Sequence, residues 1–218
     1  MAFSSNRNNT KNLSGKELIF LDDSPQIITL EAVNKLLIQN DSSVTSMPKE
    51  TLVLNEMESL LTNNPMIAEA EVFVTVDGIL KAKIKQRRPI ARVISSTHYY
   101  LDEDGKKMPL SEIYAVKVPL ITGNADENFQ ELKKILISIE KDSFMKEQIV
   151  GINIQSKNNF LLYIREHDFK IDFGKAENIT QKFQNFKAFY QKTVKDSTIT
   201  AYNLVNLKLN SQVVATKK

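Results

Sequence analysis

The chain contains no cysteine. That excludes a disulfide scaffold, a thiol nucleophile and a cysteine metal site. It leaves the compartment open, because a thiol-free chain suits oxidising and reducing space alike. Only two histidines are present, His98 and His167. They show neither the HxH nor the HxxxH spacing of a metal-binding pair. His98 adjoins Tyr99 and Tyr100 in a strand-like run, and His167 lies in the turn Arg165-Glu166-His167-Asp168. The glycine-rich phosphate loops and the nucleophile-elbow motif are absent. No apolar run approaches the roughly 18 residues of a membrane span; the longest, Phe160 to Ile164, fits one buried strand. No secretory signal is recognisable. Neither sign of charge dominates: 29 Lys and Arg stand against 26 Asp and Glu, for a net +3. A nucleic-acid binder carries a stronger and clustered basic excess. These absences argue against an enzyme, a metalloprotein and a nucleic-acid-binding protein; no metal and no cofactor is expected.

What remains is an ordinary globular composition, 42% hydrophobic and 25% charged over 218 residues, enough for one large domain or two small ones. Residues 1–16 are rich in Ser, Asn and Lys and read as a disordered linker, so the chain is expected to be a soluble piece of a longer protein. Glu17 to Leu21 reads as a strand and Asp22 to Pro25 as a turn. Leu30, Val33, Leu36 and Leu37 form a helical stripe ending near Asn40. A polar connection, Asp41 to Lys49, leads to Thr51, which can cap a helix over Leu52 to Asn63. Asn63-Asn64-Pro65 stops that helix, because proline drives its predecessor out of the α region. Val72, Val74 and Val76 then alternate with Phe73 and Thr75, Asp77-Gly78 marks a hairpin, and Leu80, Ala82 and Ile84 alternate with three lysines on the return strand. Pro89 cannot donate to a central ladder, so the strand should bend or stop there. The order strand, helix, helix, strand, strand predicts two helices covering a three-stranded sheet.

The second part reads as a mostly antiparallel sheet with helices. Extended segments are expected at Ile90 to Ile94, His98 to Leu101, Lys106 to Met108 and Tyr114 to Ile121. An amphipathic helix follows, marked by Phe129, Leu132, Ile135, Leu136 and Ile139. Strands at Ile149 to Gln155, Phe160 to Arg165 and Phe169 to Phe173 end at Gly174. Ile179, Phe183, Phe186 and Tyr190 make a second helical stripe, which at this spacing is core rather than a ligand box. Two extended runs, Ile199 to Leu209 and Gln212 to Ala215, close the chain.

The candidate sites are sparse. Asp102, Glu103 and Asp104 lack the 12-residue span and closing Glu of a calcium loop, and read as a solvated turn. Gln86-Arg87-Arg88 is the densest basic point, a solvated strand end or a partner surface. The C-terminal run mixes apolar Val205, Leu207, Leu209, Val213 and Val214 with polar Lys208, Asn210 and Gln212. A last strand at a sheet edge leaves N–H and C=O groups that can take a partner strand, although an outward Lys208 is also a device that blocks pairing.

Five ordered motifs resemble a family. Asn64 to Val72, followed by Ile84 to Ala91, is similar to the end of the POTRA domain of the bacterial division proteins FtsQ and DivIB. Tyr100-Leu101-Asp102-Glu103-Asp104-Gly105, Val118-Pro119-Leu120-Ile121-Thr122-Gly123 and Ile171-Asp172-Phe173-Gly174 with the helix Gln181 to Tyr190 resemble that family's later motifs. The sequence departs from the pattern at Gln86, where the family has Glu, and at Asn206-Leu207-Lys208-Leu209, which loses the family's aromatic. It looks like a Bacteroidetes-type branch. The resemblance implies an α+β chain: a linker over 1–16, a POTRA domain (β-α-α-β-β) over 17–95, and an FtsQ-type β domain over 96–218. It implies a non-enzymatic divisome scaffold, anchored by one span in the inner membrane with this part in the periplasm. The implied partners are FtsB/FtsL-like proteins bound by strand addition at the C-terminal edge, with FtsK/FtsW-like proteins possible partners of the POTRA domain. The expected partner-binding residues are Val205, Leu207, Lys208, Leu209, Asn210, Gln212, Val213 and Val214, with Arg87 and Arg88 as a second surface. The alternatives are a POTRA-containing outer-membrane assembly or secretion factor, which usually carries tandem repeats and a barrel, and a nucleic-acid-binding protein.

Overall fold

The computed structural model describes residues 13–38, 54–156, 158–209 and 212–218. The tail up to residue 12, the connection Asp41 to Lys49, Leu52, the Thr51 cap and the site residue Asn210 lie outside the described residues. The chain divides into two compact units. One runs up to Arg88 and takes in Pro109–Ala115; the other comprises Pro89–Met108 and Val116–Lys218.

The first unit contains β1 (Gly15–Phe20), α1 (Leu30–Ile38), α2 (Leu54–Thr62), β2 (Ile67–Val74) and β3 (Ile79–Gln86). Its sheet order is β1-β3-β2, with β1 parallel and β2 antiparallel to β3. The period of two on β3 decides both faces. Leu80, Ala82 and Ile84 are almost wholly buried, and Val33, Leu37 and Leu61 from the helices join this interior. On the other face Lys81, Lys83 and Lys85 meet Glu17, Glu71 and Glu69 of the flanking strands at 2.6, 3.2 and 2.7 Å. Exposed pairs of this kind contribute at most about 1 kcal/mol each, so the ladder specifies register more than stability. Gly78, at φ 85°, makes the expected hairpin turn, and Asn64 forms the expected joint, its Oδ1 accepting from the Met66 amide at 2.9 Å.

Gln86 differs from the solvated strand end expected of it. Its side chain is 6% exposed, and its Oε1 accepts from the Ile27 amide at 2.8 Å. The residue that departs from the family pattern thus ties the turn after β1 to the end of β3.

The second unit contains β4 (Pro89–Val93), β5 (Tyr99–Asp102), β6 (Lys107–Met108), β7 (Leu120–Thr122), α3 (Phe129–Glu140), α4 (Ser143–Gln148), β8 (Ile149–Ser156), β9 (Asn159–Ile164), β10 (Lys170–Gly174), α5 (Ile179–Lys195), a 3-10 turn (Ile199–Ala201), β11 (Tyr202–Asn206) and β12 (Val214–Lys217). The nine-stranded sheet runs β12-β11-β10-β9-β8-β7-β4-β5-β6. Five of its pairings are antiparallel and three, β4/β7, β7/β8 and β10/β11, are parallel. One transverse row, Val93-Ile121-Ile152-Leu162-Ile171-Val205-Ala215, crosses seven strands in register. All but Ala215 are at most 1% exposed. They form one core with Leu132, Ile135, Leu136 and Ile139 of α3, Met145 of α4, and Phe183 and Phe186 of α5. Burying each such side chain contributes about 1.5–3 kcal/mol.

Three details differ from the sequence expectation. The sequence puts the domain boundary between residues 95 and 96, whereas Pro89–Val93 pairs with β5 and β7 in the larger sheet. Pro89 therefore begins a strand instead of only ending one. The extended run expected over Tyr114 to Ile121 shrinks to Leu120–Thr122. Pro119 brings no N–H; its carbonyl accepts from the Arg92 amide at 3.0 Å, and the Val116 amide goes to the Tyr100 hydroxyl at 3.1 Å. Finally, α4 has no counterpart in the sequence pattern. Its six residues are too few for a periodic signal, and its N-cap, Asp142, accepts from the Met145 amide at 3.1 Å.

Candidate partner-binding edge

The C-terminal end of the sheet is built on β10. Phe169, Ile171 and Phe173 alternate inward and are at most 2% exposed. Gly174 follows with φ +69°, and a Cβ there would lie 2.5 Å from Cγ of Lys208. The chain turns here because glycine meets no steric cost at positive φ. Lys182 of α5 then reaches back. Its ammonium donates to the carbonyls of Phe173 at 2.8 Å and Lys175 at 2.7 Å and lies 4.5 Å from the centre of the Phe173 ring. Burial pushes this ammonium below its ordinary pKa, against the opposing pull of Glu177 and Asp172.

β11 pairs parallel to β10, and the Leu207 amide adds one further bond to the Asp172 carbonyl at 2.9 Å. The chain then leaves the sheet. Lys208 forms an ion pair with Asp172 at 2.6 Å, and its own amide donates to Asn206 Oδ1 at 2.9 Å. The chain returns as β12, antiparallel to β11, and among the described residues β12 has no second neighbour in the sheet order.

The expected partner-binding residues therefore separate. Val205 and Leu207 are core, 0% and 1% exposed. Lys208, Leu209 and Gln212 are exposed, Val213 is half-buried, and none of these four is in a strand. Val214 opens the edge strand and is 45% exposed. The edge strand thus lies C-terminal to the expected centre and runs past the expected site residues through Ala215, where the expected run ends, to Thr216 and Lys217. The β-branched run Val213-Val214 with Thr216 was the available signal. The Lys218 amide donates to the Ala201 carbonyl at 2.8 Å. By alternation the amides of Thr216 and Val214 also face β11, while Ala215 and Lys217 direct N–H and C=O groups outward.

Arg87 and Arg88 belong to the other unit. The Arg87 backbone amide donates to the Met66 carbonyl at 2.8 Å; Arg87 is half-buried and Arg88 exposed. The two histidines serve no common centre. His98 is exposed, while His167 stacks on Phe169 at 5.7 Å and lies 3.3 Å from the Tyr190 hydroxyl. Asp102 is not a solvated turn residue: it is 3% exposed, and its Oδ1 accepts from the amides of Asp104 and Lys106 at 2.9 and 2.7 Å. Among the described residues no group of three His, Asp or Glu could hold a metal ion, and no helix is long and apolar enough to cross a membrane.

No curated protein matches the chain. Two family profiles do. One, described as a POTRA-like domain, matches residues 21–85. The other, described as FtsQ/DivIB, C-terminal related, matches residues 88–216. The FtsQ/DivIB family is a family of non-enzymatic, division-related scaffolds, anchored in the membrane and periplasmic. Its C-terminal model covers well over half of the chain, including every strand of the larger sheet from β4 to β11, and the chain belongs to the FtsQ/DivIB-related family.

Proposed function

We propose that this chain is the periplasmic part of a single-span inner-membrane scaffold of the divisome. It connects FtsB/FtsL-like proteins by taking a strand from them along β12. The supporting observation is the outer edge of β12, unpaired among the described residues, with Ala215 and Lys217 presenting their backbone groups at the end of a nine-stranded sheet. Main-chain hydrogen bonds supply affinity in such a pairing, and alternate side chains supply selectivity. Arg87 and Arg88, and the first unit in general, are the proposed surface for FtsK/FtsW-like membrane partners. No catalytic step and no cofactor belongs to this function.

Proline at Ala215 or Lys217 removes one outward donor and leaves the bonds to β11 in place. Each variant is expected to keep the wild-type circular dichroism spectrum and to lose capture of FtsB/FtsL-like partners. If both variants fold and still bind at wild-type affinity, the docking site lies elsewhere.

A further inference from the structure

The first unit also has a strand edge, and it is treated differently. β2 is eight residues long and, among the described residues, has β3 as its single neighbour. The Thr75 amide just beyond β2 donates to the Ile79 carbonyl at 2.9 Å. Beyond the register shift between Ile67 and Glu69, Glu69, Glu71 and Phe73 therefore bond to β3, and Ala70, Val72 and Val74 turn their N–H and C=O groups outward. At the middle of that edge the Val72 amide donates to Oε1 of Glu58, on α2, at 2.8 Å. A half-buried carboxylate occupies the central donor that an added strand would need.

Charge alone does not protect this edge from a second copy of the chain. An antiparallel copy with Val72 opposite Val72 brings Ala70 opposite Val74, Glu71 opposite Phe73 and Glu69 opposite Thr75. No like charges stand directly opposite one another. Glu69 and Glu71 are moreover held by Lys85 and Lys83. Long strand edges invite self-pairing unless something blocks them. We propose that Glu58 is that block: a side-chain guard that closes β2 against pairing with a second copy of this chain.

The test uses the full 218-residue chain, with sedimentation velocity over a concentration series and amide exchange at Val72. Wild type and Glu58→Gln, which keeps an acceptor, are expected to remain monomeric. Glu58→Ala is expected to form dimers and, at low concentration, to exchange the Val72 amide about tenfold faster. Adding Ala70→Pro to Glu58→Ala removes an outward donor and should restore the monomer. The guard is refuted by a Glu58→Ala chain that stays monomeric with unchanged exchange, by dimers that survive Ala70→Pro, or by a wild-type chain that already pairs through β2.

Discussion

Lys208 reaches across the end of β11 to Asp172, placing its Nζ 2.6 Å from Oδ2 of a carboxylate whose other oxygen is buried with no hydrogen-bond partner among the described residues. This pair fastens the point where the chain leaves the sheet before returning as β12. Lys208 is about half exposed and solvent screens it, so its removal should cost no more than about 1 kcal/mol in global stability. The local effect is larger. Lys208→Ala is expected to speed exchange of the Val214 and Thr216 amides, which face β11, several-fold while leaving β8 and β9 unchanged; uniform acceleration across the sheet would remove this role from Lys208.

Gly174 supports the same junction. At φ +69°, alanine is in the left-handed region and its Cβ runs into the Lys208 stem. Gly174→Ala should destabilise the second unit by about 1–2 kcal/mol, read as a lowered urea midpoint with an unchanged slope. A variant as stable as wild type would show that the turn relaxes freely.

Lys182 makes a prediction in the alkaline range. Its folded pKa lies below the ordinary 10.5, chiefly because of burial. Between the two values the unfolded chain binds more protons, so this residue contributes a stability that rises with pH in that window. Lys182→Met should remove this contribution, and by leaving two carbonyls unpaired should cost about 1–3 kcal/mol at pH 7. Thermal melts between pH 7 and 10 measure both; parallel curves for the two proteins would contradict the assignment.

Asp142 acts at the acid end. Burial raises its carboxyl pKa, but the Lys187 ammonium and the Met145 and Phe144 amides outweigh burial and bring it below the ordinary 3.8. Its stabilisation is present above that ordinary value and is lost as pH falls through the folded one. Asp142→Ala removes the α4 cap and the bond to Lys187. It should cost about 1 kcal/mol near neutrality and narrow the gap to wild type below pH 3. Urea unfolding at pH 7 and pH 2.5 checks both.

Local periodicity carried most of the elements. Alternation placed Leu80, Ala82 and Ile84 on one face of β3 and Phe169, Ile171 and Phe173 on one face of β10, and the stripe of α5 went to the core as expected. What local pattern could not carry was pairing at a distance. Nothing near Pro89 announces that Ala91 and Val93 will lie beside Leu101 and Ile121. The edge strand was misplaced for a related reason. The apolar alternation of Val205, Leu207 and Leu209 continues past the last ladder bond, and the exit is decided by Lys208 finding Asp172, 36 positions earlier in the sequence.

The first unit is not a continuous stretch of chain. Pro109–Ala115 belongs to it, and the Ser111 hydroxyl donates to the Ile27 carbonyl at 2.7 Å. Synthesis from the N-terminus delivers β4, β5 and β6 of the larger sheet before this last piece emerges. A nascent chain halted at Arg88 therefore holds the whole β-α-α-β-β pattern and still lacks part of its own fold, so a gene fragment ending there encodes an incomplete unit.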